Sequence, residues 1–532
     1  MHRNKSWTAI VMAASLTAAL AGCGSTTPQA VASASAENTL VISHGNMPST
    51  LDPQVAYDTS STVITRAAYQ RLVTFRGASS LVEPQLATSW TVSADGLVYT
   101  FNLRHDVHFS DGSLMTAADV KYSFERLLAI NQGPAWLFAD IKTISAASPY
   151  QVIFTLSKPQ PQFLEILASW YGGLIVSEKG ALAHTVGKNW AQGWLKNHTD
   201  GTGPYEVKEL IPNQEVVLVR NPYYWGGWKG SHYQTVIDKS VPSSETQEML
   251  LEHGTIASTD ALSVEQLKTV AKSAAVRVLT YPSLNEYYMV MNAKSGPTSN
   301  IKVRQALSYA MNYKEVIQDV LDGTGRQAQG PLPYGLFGHD NHLPMYHYDL
   351  AKARALLAQA GYPHGGFTLN YVWDTGSPPE EVVGEILQQG LAQLNIKLTL
   401  TGETWTTMWN QISNEKTAPS MYGFWWYPDY PDPNDYLTSM YATSAWGVNG
   451  YNEGYYSNPE VDSLLTQARY SLNTAQRLSD YTQVQQILNQ QAPAIDVYVQ
   501  DFQVPMNRNV VGYQYNPMSI TFYNFYGMHG KS

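Results

Sequence analysis

Cys23 is the only cysteine among the 532 residues, and it closes the tetrapeptide LAGC (20–23) at the end of an apolar stretch. Two basic residues, Arg3 and Lys5, precede this stretch. A secretory signal has this layout, in which basic residues are followed by apolar residues and then by small ones. The apolar run is shorter than the roughly 20 residues of a membrane-spanning helix. Because there is no second cysteine, the remaining chain must fold around its own cores without disulfides.

The tetrapeptide resembles the processing site of a bacterial lipoprotein, in which the cysteine becomes the acylated first residue of the mature chain. We therefore expect residues 1–22 to be a signal peptide and Cys23 to carry lipid. Residues 23–36 are mostly small and polar, so we predict a flexible tether. The mature protein would be extracytoplasmic and lipid-anchored to the cell membrane, in a periplasm or at the outer cell surface.

The composition argues against one function class and indicates an unusual surface chemistry. The net charge is −10, which argues against a nucleic-acid partner because no basic patch is available for phosphates. Charged residues make up only 14% of the chain, against about 25% in typical soluble proteins. This scarcity of charge suits an exterior of variable or acidic pH, and we predict that the folded protein withstands mild acid.

Strand and helix patterns alternate along the chain. Apolar and polar side chains alternate over 97–104, which predicts a half-buried strand. Thr116 and Asp119 have capping-box spacing, so a helix is expected to begin near Thr116. Further strands are predicted at 40–43, 215–219 and 396–400, and further helices at 303–317, 351–360 and 461–468. The pattern predicts a mixed α/β protein without a short internal repeat.

Several segments match one known family, in the family's order, over nearly the whole mature chain. They are 86–112 (LATSWTVSADGLVYTFNLRHDVHFSDG), 116–128, 201–205 (GTGPY), 220–225 (RNPYYW), 303–317, 351–362 and 426–433 (WYPDYPDP). As a set, they make the chain similar to the extracytoplasmic solute-binding proteins of family 5. That family serves ATP-driven importers of oligopeptides, dipeptides, nickel chelates and some oligosaccharides.

The resemblance implies an α/β, two-lobe, periplasmic-binding-protein-like fold of type II, in its large class with an extra inserted subdomain. The ligand would be enclosed between the lobes. Carried onto this sequence, the family organisation predicts lobe I from 37–58, 199–290 and 500–532, the inserted subdomain from 59–198, and lobe II from 291–499.

Asp429 is the strongest candidate for a ligand-binding residue. It lies in the pattern Trp-x-x-Asp-Tyr at 426–430, and in peptide-binding relatives the matching aspartate accepts the α-ammonium group of the ligand. A charge-assisted hydrogen bond of this kind contributes about 1.5–3 kcal/mol, and a closed cleft that excludes water favours it. The alternative is an aspartate that caps a turn and faces solvent.

The resemblance places further candidates around the cleft. Trp426, Tyr427 and Trp405 lie at or near family positions that line it, and flat aromatic walls suit peptide side chains and sugar faces alike. Core packing is the alternative for each ring. Met47 occupies a place where some peptide binders carry glutamate, so one possible partner of the ammonium is missing.

Other patterns carry no catalytic or metal-binding signal. Asp432, Asn434 and Asp435 lack the glycine and distal glutamate of a calcium loop and indicate turn structure. The histidines in the segment 339–347 fit no standard ligand spacing and indicate a surface loop. No hydrolase or metalloprotease motif is present in the sequence. We predict neither a metal site nor a cofactor.

The leading hypothesis is therefore a monomeric binding protein, not an enzyme. It would capture a short peptide and deliver it to an ABC permease driven by a separate ATPase. Three alternatives remain open: an oligosaccharide carrier and a nickel-chelate carrier of the same family, and a secreted glycoside hydrolase, which would need two carboxylates at a set separation across a cleft.

Overall fold

The computed structural model describes residues 38–447, 450–518 and 523–531, so the predicted signal, Cys23 and the tether lie outside the described residues. In chain order, the strands are β1 (Thr39–His44), β2 (Val73–Phe75), β3 (Val82–Pro84), β4 (Ala87–Val92), β5 (Val98–Leu103), β6 (Ile141–Ser148), β7 (Gln151–Leu156), β8 (Tyr205–Ile211), β9 (Glu215–Arg220), β10 (Thr235–Ser240), β11 (Ser258–Thr259), β12 (Val276–Tyr281), β13 (Glu286–Met291), β14 (Gly325–Gln327), β15 (Thr368–Asp374), β16 (Lys397–Glu403), β17 (Met421–Trp426), β18 (Ala494–Gln500), β19 (Phe502–Asn507), β20 (Val510–Val511) and β21 (His529–Gly530).

Helices alternate with these strands along the chain. They are α1 (Thr59–Ala68), α2 (Ala117–Ile130), α3 (Phe163–Ala168), α4 (Glu178–Ala183), α5 (Gln192–Leu195), α6 (Ser244–Glu252), α7 (Val264–Val270), α8 (Ile301–Ala310), α9 (Tyr313–Glu315), α10 (Leu350–Gln359), α11 (Pro378–Ala392), α12 (Trp405–Ile412), α13 (Pro433–Tyr441), α14 (Pro459–Tyr470) and α15 (Thr474–Gln491). Across the described residues, none of the helices combines the length and the apolar character that crossing a membrane requires.

Two large mixed sheets organise the structure. The first has the strand order β12-β19-β11-β1-β10-β9-β8, and its central strand β1 pairs in parallel with both β10 and β11. The second has the order β14-β18-β13-β17-β15-β16, in which β15 runs parallel to β16 and β17. Every residue of β13 is buried, as expected for a strand covered on both faces.

The chain passes from one large sheet to the other at two neighbouring places. The first passage joins β12 to β13 through 282–285, and the second joins β18 to β19 through Asp501. The two passages are bonded to each other: the Ser283 hydroxyl donates to the carbonyl of Gln500, and the Gln500 N–H donates to the carbonyl of Asn285 at 3.3 Å. This double crossing is the connection that a two-lobe fold requires. The exact limits between the lobes, predicted to fall after residues 290 and 499, stay predictions.

A smaller antiparallel sheet, β4-β5-β7-β6, packs with α2. The predicted strand and helix of this region are confirmed as β5 and α2. The capping box at the start of α2 is also confirmed, because the Thr116 side chain accepts a backbone N–H while the Asp119 carboxylate accepts the N–H of Thr116 at 2.8 Å.

One predicted helix ends earlier than its apolar periodicity suggests. The spacing predicts a helix over 303–317, whereas α8 ends at Ala310 and Met311 is extended. Asn312 then caps the short α9, its side chain accepting the N–H of Glu315 at 3.4 Å. A side chain that hydrogen-bonds the backbone in this way favours a new helix start over continuation of the old one.

A buried ion pair fixes the region of α2 to the segment after β1. The Arg126 guanidinium donates from Nη1 to Asp52 Oδ1 at 2.7 Å, and both side chains are almost fully buried. Arg126 also donates to the Gln54 side chain and, from Nε, to the carbonyl of Trp190 at 2.7 Å. Removal of the cation would leave the Asp52 charge buried and uncompensated, which is the costly way to break such a pair.

We therefore expect Arg126→Ala to lower the free energy of unfolding by about 3–5 kcal/mol, measured by chemical denaturation. The matched control is Arg76→Ala, because Arg76 pairs with Glu83 at 3.2 Å on the surface, with 64% of its side chain exposed. The control should change stability by less than about 1 kcal/mol. Equal effects of the two substitutions would contradict the role given to the buried pair.

Several carboxyl groups are buried without a cation. Glu286, Glu380 and Glu453 are each at most 2% exposed, and none of them forms an ion pair with another described residue. Burial raises the pKa of Glu380 and of Glu453 to about 8, and the pKa of Asp496 to about 7. The folded state therefore binds these protons more tightly than an unfolded chain, whose carboxyls titrate near pH 4.

The sign of this linkage predicts a protein that is more stable in mild acid. A carboxyl with a raised pKa stabilises the fold below its unfolded pKa, and the stabilisation is lost as the pH rises through the folded values of about 7–8. We expect a higher melting temperature at about pH 5 than at about pH 8.5 in calorimetry at constant ionic strength. A melting temperature that is higher at about pH 8.5 than at about pH 5, or unfolding near pH 5, would contradict the prediction.

Candidate functional site

A cavity of about 480 Å³ contains the strongest sequence candidate, Asp429. The segment that precedes α1 supplies one side, and the other side comes from the ends of β15 and β17 and the starts of α11 and α12. The lining residues are Tyr57, Asp58, Thr59, Tyr171, Asp374, Gly376, Ser377, Glu380, Trp405, Gly423, Phe424, Trp425, Trp426, Tyr427, Asp429 and Tyr451.

Asp429 lies just after β17, and only 6% of it is exposed. Its Oδ2 accepts a hydrogen bond from the hydroxyl of Tyr57 at 2.7 Å, across 372 positions of sequence. Burial raises the pKa of Asp429, and the bond from Tyr57 offsets part of the rise. Oδ1 accepts no hydrogen bond of ordinary geometry from a described residue, so the carboxyl retains acceptor capacity for a ligand donor.

Asp435 holds the loop that carries Asp429. It lies in the first turn of α13, and its Oδ2 accepts the indole N–H of Trp426 at 2.9 Å and the backbone N–H of Asp429 at 3.0 Å. The side chain is fully buried, and burial together with the nearby Asp429 charge raises its pKa well above the usual value. One carboxyl thus positions both the binding candidate and the adjacent aromatic ring.

The Asp432–Asp435 segment forms a helix start. Asp432 caps α13 by accepting the N–H of Asn434 at 3.0 Å, and it pairs with Arg477 at 2.5 Å. The sequence predicts a turn here, and the physical signal that favours a helix is the N-cap aspartate followed by Pro433 at the first helical position.

Flat aromatic side chains form the walls of the cavity. Trp405 begins α12 and stacks on Trp409 and Phe424 with ring centroids 5.6 and 6.2 Å apart. Tyr427 stacks on Trp425 at 5.9 Å. Trp405 and Tyr427 keep 43% and 38% of their surface exposed, so their faces are available to a ligand.

The structure brings together most of the predicted site residues, but Met47 lies elsewhere. Met47 is partly buried against the core cluster of the first large sheet, and it does not line the cavity. The predicted ligand-binding roles of Asp429, Trp426, Tyr427, Trp405 and Met47 stay predictions.

Several lining residues carry no signal that sequence reasoning could use. Tyr57 and Tyr171 pack edge to face at 4.9 Å, and they reach the cavity from positions far from the motif. Glu380 follows Ser377 and two prolines, which is the ordinary pattern of a helix N-terminus. Of these additional lining residues, Trp425 could have been predicted from the sequence, because it is adjacent to the motif at 426–430.

Glu380 is a second buried carboxyl in the same cavity. Its Oε2 accepts the backbone N–H of Asp374 at 3.2 Å. The hydroxyl of Tyr371 donates to the Glu380 carbonyl at 3.1 Å, which fixes the start of α11. Gly423 leaves room for this arrangement, because a Cβ there would overlap the Glu380 carboxyl and the hydroxyls of Tyr287 and Tyr371.

The histidines of the segment 339–347 do not gather into a site. His339 Nδ1 lies 2.8 Å from the carbonyl of Leu332, and His347 is exposed near Asp349. In the part of the chain that the structure describes, no group of three His, Cys, Asp or Glu side chains is placed to hold a metal ion.

Comparison with known proteins places this geometry in a family. The sequence profile described as Bacterial extracellular solute-binding proteins, family 5 Middle, matches residues 82–448, more than half of the chain. The probable D,D-dipeptide-binding periplasmic protein DdpA of Escherichia coli K12 is 33% identical over 489 residues, which cover 91% of this chain and 93% of that protein. Heme-binding protein A of Haemophilus influenzae is 29% identical over 544 residues, with 97% of each chain covered.

Solved structures agree with the sequence relatives. The periplasmic binding protein DppA from Helicobacter pylori, in complex with the peptide STSA, has a TM-score of 0.80 at 26% identity, covering 93% of this chain and 98% of its own. The predicted type II periplasmic-binding-protein fold is thereby confirmed. The chain belongs to the bacterial extracellular solute-binding proteins of family 5, the substrate-capturing components of ABC importers.

Proposed function

We propose that this protein captures short peptides for its importer and binds their α-ammonium group at Asp429. The observation that carries the proposal is a carboxyl that is 94% buried, lines an aromatic cavity and accepts one hydrogen bond, from a phenol. The names of relatives support a peptide cargo: DdpA is called a probable D,D-dipeptide-binding protein, and DppA was solved with the peptide STSA.

An ammonium group suits this carboxyl for a physical reason. Burial disfavours the charged form of Asp429, and an adjacent cation reverses that preference. The ammonium also brings three N–H donors to a carboxyl that Tyr57 alone does not saturate. A charge-assisted bond in such surroundings is worth about 1.5–3 kcal/mol, which corresponds to roughly tenfold to hundredfold in affinity.

The aromatic walls complement this anchor. Trp405 and Tyr427 present partly exposed faces, and such surfaces accept side chains of different shape without a fixed hydrogen-bond pattern. Sugar rings also stack on faces of this kind, so an oligosaccharide is the alternative cargo that the test must separate from a peptide.

The direct test compares free dipeptides with their N-acetylated forms by isothermal titration calorimetry. Acetylation removes the positive charge, so we expect it to weaken binding by about tenfold or more. Asp429→Asn should weaken binding of the free peptide to a similar extent. Asp319→Asn, at an exposed position in the π-helical segment Val316–Val320 that follows α9, is the matched control and should leave affinity unchanged.

Equal affinity of the free and acetylated forms would remove Asp429 from this role. Binding of manno- or cello-oligosaccharides that survives Asp429→Asn, with no peptide bound, would favour the sugar carrier instead.

We also propose that Cys23 is acylated and anchors the mature chain to the membrane. The support is the LAGC tetrapeptide behind a basic and apolar leader. We expect Cys23→Ser to abolish incorporation of a labelled fatty acid and to shift the protein from the membrane fraction to the soluble fraction. Ser25→Ala, two positions later, is the control that should keep both properties. Label retained by Cys23→Ser would refute the anchor.

A further inference from the structure

The described lining of the cavity carries carboxyl groups and no basic side chain. Four of its lining residues are acids, namely Asp58, Asp374, Glu380 and Asp429. The described residues that line it include no lysine, arginine or histidine. A ligand held here therefore has carboxyl groups on several sides. An anionic group of that ligand would find no positively charged side chain in this lining.

The carboxylate of a peptide is a poor match for such a lining. The ammonium of the peptide finds Asp429, but its carboxylate would be desolvated among acids, and a buried charge without a partner is strongly unfavourable. Arg66 does not supply the partner in this cavity. Its guanidinium stacks on Trp170, 3.4 Å from the ring centroid, and lines a different cavity of about 260 Å³.

Glu380 offers a place for a second cation. It is 2% exposed and lines the cavity. Its Oε2 accepts the backbone N–H of Asp374 at 3.2 Å, and the side chains of Ser377 and Trp425 lie close enough to favour its charged form. The indole of Trp425 and the phenol of Tyr427 stack on each other along the same wall. A buried carboxyl beside aromatic faces attracts a positive group through charge and through the π faces together.

We propose that the cavity selects peptides that carry a second positive charge, from a lysine or arginine side chain, with Glu380 as the specificity-determining residue for that charge. This inference rests on the proposed binding of the ammonium at Asp429. It also implies that the carboxylate of the peptide stays outside this cavity.

The competing explanation is that Glu380 only stabilises the start of α11, where it is the third helical residue. Glutamate and glutamine serve that position about equally well. Glu380→Gln therefore separates the two explanations, because it keeps the helix start and removes the charge.

The experiment measures binding of Ala-Lys and of Ala-norleucine to the full-length protein by calorimetry. The norleucine side chain matches the lysine side chain but lacks its ammonium group. We expect the wild type to prefer Ala-Lys by about tenfold or more, and Glu380→Gln to reduce the preference to about twofold or less. Glu380→Gln should still discriminate against N-acetyl-Ala-Lys. Equal binding of the two peptides by the wild type, or a full preference in the variant, would overturn the inference.

Proton release gives a second readout that a structural role would not move. Burial raises the pKa of Glu380 to about 8, so at about pH 7.5 a bound cation should displace its proton. Titrations in phosphate and in Tris should show extra proton release for Ala-Lys over Ala-norleucine in the wild type and none in Glu380→Gln. Equal release for both peptides would count against the inference.

Two further arms keep the outcomes distinct. If Glu380→Gln fails to fold, the preference of the wild type for Ala-Lys over Ala-norleucine and the extra proton release with Ala-Lys decide the inference, and the absence of either would overturn it. If free and acetylated peptides bind equally, the proposed function itself fails. If free peptides are preferred but lysine brings no advantage, only the second-charge inference fails.

Discussion

The two hydrogen bonds that Asp435 accepts organise the cavity. One comes from the Trp426 indole and the other from the backbone N–H of Asp429. They tie a side chain at the end of β17 and the loop after it to the first turn of α13. Together with the hydrogen bond that the Asn434 amide donates to the Tyr430 hydroxyl at 2.6 Å, they hold the loop against α13 and keep the carboxyl of Asp429 directed toward Tyr57. Asp435, a buried acid that does not line the cavity, thus positions Asp429, an acid that does.

Buried acids are a general property of this protein. Glu286, Glu453 and Asp496 have raised pKa values because burial disfavours their charge, and no cation among the described residues forms an ion pair with them. Charged residues make up only 14% of the chain as well. Protons therefore balance these three carboxyls, whereas Asp52 and Asp432 are paired with Arg126 and Arg477. This arrangement agrees with the extracytoplasmic location of the family, where the cell does not buffer the surrounding pH.

Local patterns predicted the local structure well. The capping box at Thr116 and the alternation over 97–104 each depend on residues that are close in sequence, and both are confirmed. The helix predicted over 303–317 was too long, because periodicity continues past Met311 while the Asn312 cap starts a new turn. The position of Asp429 came from a contiguous motif. Tyr57 and Glu380 could not be found that way, since folding alone brings them to Asp429, and nothing near them in sequence distinguishes them from ordinary helix-start residues.

The double passage between the large sheets has a mechanical consequence. Both connections are short, and the Ser283 and Gln500 hydrogen bonds join them side by side. A twist of one connection is therefore transmitted to the other. Two short connections bonded side by side resist sliding of one large sheet past the other, and such sliding would separate Tyr57 from Asp429.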